Sequence, residues 1–120
     1  MLNLDTHILV FFVSQELSDH EYRCMVEQQL VISDIVLWEL AMLAKANRLK
    51  IDLDDKEFKS FFRTLTVIPI TLEIARTSTQ LDFSSDPADQ IIAATSIVEK
   101  IPLLTRDRII RTSRMVPLAF

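Results

Sequence analysis

The chain has no glycine in 120 residues. That excludes a Walker A loop and a dinucleotide fingerprint, which need glycine where the backbone closes on a phosphate. Any handling of phosphate must fall to side chains, metal ions or helix N-termini. Cys24 is the sole cysteine, so no internal disulfide can form and a reducing cytoplasm is the simplest home. No CxxC pair or His/Cys cluster has zinc-ligand spacing. No apolar run reaches about 18 residues, so no membrane span is expected. Met1-Leu2-Asn3-Leu4-Asp5 lacks the basic region and apolar core of a signal peptide. Basic charge is not in excess: the net charge of −4 gives no general footprint for nucleic acid. Acidic residues gathered at a metal site could produce that balance without forbidding a phosphate partner, because a bound cation inverts the local sign.

What is present reads as one folded unit over residues 1–120, since 49% hydrophobic and 25% charged residues argue for a packed core and against disorder. Leu2–Leu4 reads as a first strand, with a turn at Asp5-Thr6 and a short buried helix through Val13. Ser18 and Glu21 form a capping-box pattern that opens a helix to about Gln29. Leu30–Ile32 is a second strand. Ser33 then caps a helix from Asp34 to about Ala46, apolar nearly all round and therefore expected to be buried, with Trp38 anchoring the core. Asn47 can take the left-handed conformation after it. Lys45, Arg48 and Lys50 compensate its dipole on a solvated face.

Asp54 or Asp55 opens the next helix, with Phe58, Phe61 and Phe62 at core spacing. Leu65–Ile70 is a third strand, and Pro69 marks its end or an edge. A helix follows from Thr71 to about Leu81. The central helix runs from Pro87 to about Glu99, with Asp86 as its N-cap and Pro87 at its first position. Pro102–Leu104 is a fourth strand. A short helix over Arg108–Ser113 and an extended segment over Met115–Leu118 close the sequence. Strands alternating with helices indicate parallel βαβ units, and the length suits one α/β/α layer with four or five short strands.

In such sheets ligands bind beyond the carboxyl ends of the strands. Asp5 follows strand one, Asp107 follows strand four, and Glu39 and Asp89 fall in the first turns of helices leaving the sheet. Two of them have a plain structural reading: Asp89 supports a helix start, and Glu39 pairs with a lysine or arginine from elsewhere. Together they could form a carboxylate site, which raises its own pKa values unless cations neutralise it. Hard oxygen donors suit Mg²⁺ or Mn²⁺, and such a site serves in-line phosphoryl chemistry. His7 more plausibly packs at the margin than acts as a base. Arg106, Arg108, Arg111 and Arg114 could contact phosphates or form a solvated face.

Leu4-Asp5-Thr6-His7, Leu37-Trp38-Glu39-Leu40-Ala41, Asp86-Pro87-Ala88-Asp89 with Ile92-Ala93-Ala94-Thr95, and Leu103-Leu104-Thr105-Arg106-Asp107 resemble the motifs of PIN domains, and of VapC-type toxins in particular. The likeness spans nearly the whole chain in the family's order. It implies a PIN-like three-layer α/β/α fold with a short, mainly parallel sheet. It also implies a Mg²⁺- or Mn²⁺-dependent endoribonuclease, the toxin of a bacterial type II toxin–antitoxin system. Asp5, Glu39 and Asp89 match the family's three acidic positions, Asp107 a more variable fourth, and Thr6 and Thr105 its supporting hydroxyls. The implied partners are an RNA substrate, a cognate antitoxin and a second copy in a homodimer. Three residues depart from the pattern: Asn47 and Lys100 stand at usual glycine positions, and Gln90 where arginine is common. The competing reading is a non-catalytic module that uses the fold for antitoxin or dimer contacts.

Overall fold

All three side chains of β1 (Leu2–Leu4) are buried. A short apolar strand covered on both faces belongs inside a parallel sheet. In the computed structural model, which describes residues 1–49 and 52–120, β1 lies between β2 (Leu30–Ser33) and β4 (Leu103–Leu104). β3 (Thr66–Ile68) pairs with the far side of β2, giving the order β3-β2-β1-β4 with every pair parallel. The register sets Leu4 opposite Leu104, so the residues following these two strands emerge side by side. The closing segment makes one parallel bridge, Leu118 to Leu103, in place of a full fifth strand. β3 is an edge strand, and Pro69 follows it directly.

Local sequence explains the helix starts. α1 (Thr6–Val13) begins at Asp5, whose carboxylate accepts the Thr6 N–H. α2 (Asp19–Val26) carries the complete Ser18–Glu21 capping box and stops short of Gln29. α4 (Lys56–Phe62) is capped by Asp55, α5 (Leu72–Ser78) by Thr71 and α7 (Arg108–Arg111) by Asp107. α6 (Pro87–Glu99) runs through the middle of the fold, with Ala88, Ile92, Ala93, Ala94, Thr95 and Ser96 buried. Asn3 ties it to the sheet by donating to Ile92 O and to Ser96 Oγ at 3.3 and 2.9 Å.

Four expectations need correction. α3 (Ile35–Lys45) is not buried all round: Val36 and Leu40 pack inward, while Leu37, Trp38 and Met42 are exposed, Trp38 by 56%. One stripe of the helix faces the core, and Trp38 lies on the other, more exposed side rather than in the core. Asp34, not Ser33, occupies the cap position of α3 and makes no capping bond, while Ser33 Oγ accepts the Ile35 N–H at 3.3 Å. Asp86 stands at the cap position of α6 but likewise makes no side-chain capping bond. Glu39 is the fifth residue of α3 and so lies in its second turn, not its first.

Among the described residues, left-handed backbone falls to Gln15, Asn47 and Lys100, with φ of 60, 54 and 56°. Each carries a Cβ and so costs about 1–2 kcal/mol relative to an unstrained residue. The turns at Asn47 and Lys100 therefore form without glycine. Lys45 and Arg48 are exposed as expected; Lys50 lies outside the described residues.

Candidate active site

Asp5 stands where β1 ends, its N–H still donating to Leu104 O at 3.1 Å. Its carboxylate is buried and held on both oxygens: Oδ1 accepts the Thr6 N–H at 2.8 Å and Oδ2 accepts the Thr105 hydroxyl at 2.6 Å. The β1–β4 register makes the second bond possible across 100 positions of sequence. Thr6 also reaches α3, donating its hydroxyl to Glu39 Oε1 at 2.5 Å. One threonine thus orients two carboxylates, through its amide and through its side chain.

Asp89, in the first turn of α6, is half-buried, and its Oδ2 accepts the Ser85 hydroxyl at 3.1 Å. Asp107 is more committed to structure: its Oδ1 accepts the N–H groups of Ile109 and Ile110 at 2.9 and 3.0 Å and caps α7. Its own N–H donates to Thr105 Oγ1 at 3.0 Å, which links it to the group around Asp5. A cavity of about 270 Å³ opens beside these residues, lined by Asp5, His7, Phe11, Arg106 and Asp107. The more apolar groove over Leu37, Leu40, Phe58 and Phe62 is lined by none of the carboxylates.

Electrostatics ties the carboxylates together. Burial pushes the Asp5 carboxyl above its ordinary value, and Glu39 adds to the rise, while the Thr105 hydrogen bond and nearby His7 oppose it. Glu39 is raised by burial first and then by Asp89 and Asp86, against the Thr6 hydrogen bond. Asp89 is raised by burial, by Asp5, and further by Asp107 and Asp86. Among the described residues no lysine or arginine forms an ion pair with any of the three. Half-buried Glu39 thus has no lysine or arginine ion-pair partner among the described residues.

The donor set is all oxygen, from carboxylates backed by hydroxyls, and it fits a hard divalent cation such as Mg²⁺ or Mn²⁺. Among the described residues no three such groups approach closely enough to form a ready cage. Mg²⁺ does not demand one: it keeps several waters and is commonly held by one or two carboxylates together with substrate phosphates.

Some of these residues escaped sequence reasoning. Asp86, read as a helix cap, instead lies near enough to Glu39 and Asp89 to raise both. Its signal was a second acid three positions before Asp89. Ser85 gave no signal beyond its place next to that motif. Arg106 is exposed and lines the cavity, and it also has partners within the chain that the sequence did not name. Its guanidinium forks onto buried Glu21 with two bonds of 2.7 Å, donates to Glu16 O at 3.1 Å and covers the Phe11 ring at 4.3 Å. Arg111 is likewise engaged, donating to Thr105 O and Phe120 O at 3.2 and 2.7 Å.

The sequence pattern of the PIN domain matches residues 3–113. Ribonuclease VapC22 of Mycobacterium tuberculosis is 32% identical over 89 residues, which cover 72% of this chain and 68% of that protein. Among solved structures, a toxin–antitoxin complex from Klebsiella pneumoniae contains a chain with a TM-score of 0.74 at 21% identity, covering 100% of this chain and 98% of that one. A chain of VapBC2 from Rickettsia felis, bound to a DNA fragment from its promoter, gives 0.72 at 21%, covering 98% and 97%. At such identities the two structures speak to the fold alone. With the acidic motifs in order along it and the family pattern covering nearly its full length, the chain belongs to the PIN domain family.

Proposed function

We propose that the chain, as a single domain over residues 1–120, is a divalent-metal-dependent endoribonuclease and the toxin of a bacterial type II toxin–antitoxin pair. The observation that carries this is the electrostatic coupling of Asp5, Glu39 and Asp89, each raised in pKa by burial and by a neighbour in the set, with no neutralising lysine or arginine among the described residues. The 32% identity to a ribonuclease supports the RNA substrate, and the likeness to toxin–antitoxin complexes supports an antitoxin partner. Among the described residues no helix is long and apolar enough to cross a membrane, which is compatible with a cytoplasmic place of action.

Mg²⁺ or Mn²⁺, when bound, lowers the pKa of the attacking water and offsets negative charge developing on the phosphate. The chain's own residues do the holding. Asp5 is the central ligand, because both its oxygens are oriented and each keeps a lone pair. Glu39 and Asp89 face it from α3 and α6. Thr6 and Thr105 fix the carboxylate planes, so little reorganisation is needed when charge develops. Asp107, with one oxygen capping α7, serves at the edge of the site. Pairing with a second copy remains part of the proposal, and the exposed Leu37, Trp38 and Met42 of α3 are consistent with a partner surface.

The test is RNA cleavage by purified, antitoxin-free protein on mixed tRNA and ribosomal RNA across Mg²⁺ and Mn²⁺ titrations, with Asp5→Asn beside it. Discrete fragments that need both metal and Asp5 are expected. Cleavage that survives in Asp5→Asn would overturn the proposal. Absence of both cleavage and metal binding would favour the non-catalytic interaction module.

A further inference from the structure

The start of α6 lacks the side-chain capping bond its sequence promises, and a side-chain network lies beside it. Gln90 accepts the Ser85 N–H on its amide oxygen at 3.0 Å and donates its amide nitrogen to Ser78 O at 2.8 Å. Ser78 ends α5, where carbonyls have no partner within the helix. Ser85, so held, donates its hydroxyl to Asp89 Oδ2 at 3.1 Å. The loop between α5 and α6 is fixed from its other side too: Asp82 accepts the Ser113 hydroxyl at 2.6 Å and the Arg114 N–H at 2.8 Å.

We propose that Ser85 and Gln90 are positioning residues for Asp89 and set how tightly the site holds its divalent cation, an inference that rests on the metal-dependent reading above. Asp89 is half-buried, with no ion-pair partner among the described residues, so its rotamer is set by what touches it. Ser85 occupies one oxygen and leaves the other for the cation. Ser85 itself sits on a loop, and its backbone is placed by an amide that must accept and donate at once. Glutamine offers both in one rigid plane, whereas a guanidinium has no acceptor and could not take the Ser85 N–H. Gln90 is therefore suited to this relay in a way that arginine at the same position is not. Partners of this kind, one bond removed from a metal ligand, commonly change metal affinity by about 10–100-fold.

The experiment measures Mn²⁺ binding by calorimetry, with thermal melting of the metal-free protein alongside, for the wild type, Ser85→Ala, Ser85→Thr, Gln90→Met and Asp5→Asn. Ser85→Ala and Gln90→Met are expected to weaken Mn²⁺ binding by about tenfold, and Ser85→Thr to restore it by keeping the hydroxyl. Metal-free melting of Ser85→Ala should stay within about 3 °C of the wild type, which separates positioning from loss of fold. If Gln90→Met does not fold, Ser85→Ala and its threonine rescue carry the result. Unchanged Mn²⁺ affinity in Ser85→Ala, with binding still dependent on Asp5, would overturn the positioning role alone. A wild type that binds no Mn²⁺, or an Asp5→Asn that binds it equally well, would overturn the metal-dependent reading and this inference with it.

Discussion

Asp89 faces Asp5 and Asp107 with one oxygen on Ser85 and no side-chain cation among the described residues. A carboxyl whose pKa is raised by folding stabilises the fold most below its ordinary value, and that contribution is lost as pH rises through the raised value. At neutral pH the metal-free protein therefore carries Asp89 as a burden. Asp89→Asn keeps an oxygen for Ser85 and removes the charge. It is expected to stabilise the metal-free protein by about 0.5–1 kcal/mol at pH 7, the gain shrinking towards pH 4, as read by urea unfolding at several pH values. Glu21 runs the other way. Its bond to Arg106 lowers it from 4.5 to about 2. Its contribution is present above 4.5 and lost as pH falls towards about 2. Arg106 is partly exposed, which screens the pair, so Glu21→Gln should cost about 2 kcal/mol at pH 7 and almost nothing at the acid end of that window. A cost independent of pH would show that packing of Arg106 on Phe11, rather than charge, holds this corner.

The elements carry strain and exposure that single residues do not. α6 ends on Lys100 in the left-handed region, φ 56° and ψ 45°, where the chain must turn sharply into Ile101 and β4. Relief of the Cβ clash is worth about 1–2 kcal/mol, against about 0.5–1 kcal/mol for the extra freedom of glycine in the unfolded chain. Lys100→Gly is thus expected to raise stability by about 0.5–1 kcal/mol, and a lower melting temperature would refute the strain. α3 offers the converse case. A buried tryptophan cut to alanine typically costs about 3–5 kcal/mol. Trp38 is 56% exposed, so Trp38→Ala in the isolated chain should cost less than about 1 kcal/mol. That contrast checks whether the outer face of α3 is free of the core.

For the molecule as a whole, a cation that binds only the folded site must stabilise every element that builds it. At a Mn²⁺ concentration about 100 times its dissociation constant the gain is about 2.7 kcal/mol, a rise of several degrees in melting temperature. Asp5→Asn should abolish that rise while melting cooperatively by itself. Much of the architecture was readable beforehand, because its causes are local. The Ser18–Glu21 capping box, Pro87 at the start of α6 and the short apolar runs of β1, β2 and β4 act within a few residues. The resemblance added the order of the acids. Exposure of Trp38 was not readable, since an all-apolar helix looks the same whether or not a further layer covers it. Nor was the fate of Asp86, which has the right residue type for a cap and the right position, and whose carboxylate lies near Glu39 and Asp89. By itself, then, the sequence determined the alternation of strands and helices and which residues could carry chemistry, since helix starts, turns and apolar periods are set by neighbours along the chain. Only the tertiary structure decided that Thr105 holds Asp5, that Arg106 serves Glu21 and that Gln90 serves Ser85. The first two bonds span 100 and 85 positions, and the third joins a side chain to a backbone amide at a helix start. A local pattern offers many partners for each of these groups, and packing leaves one.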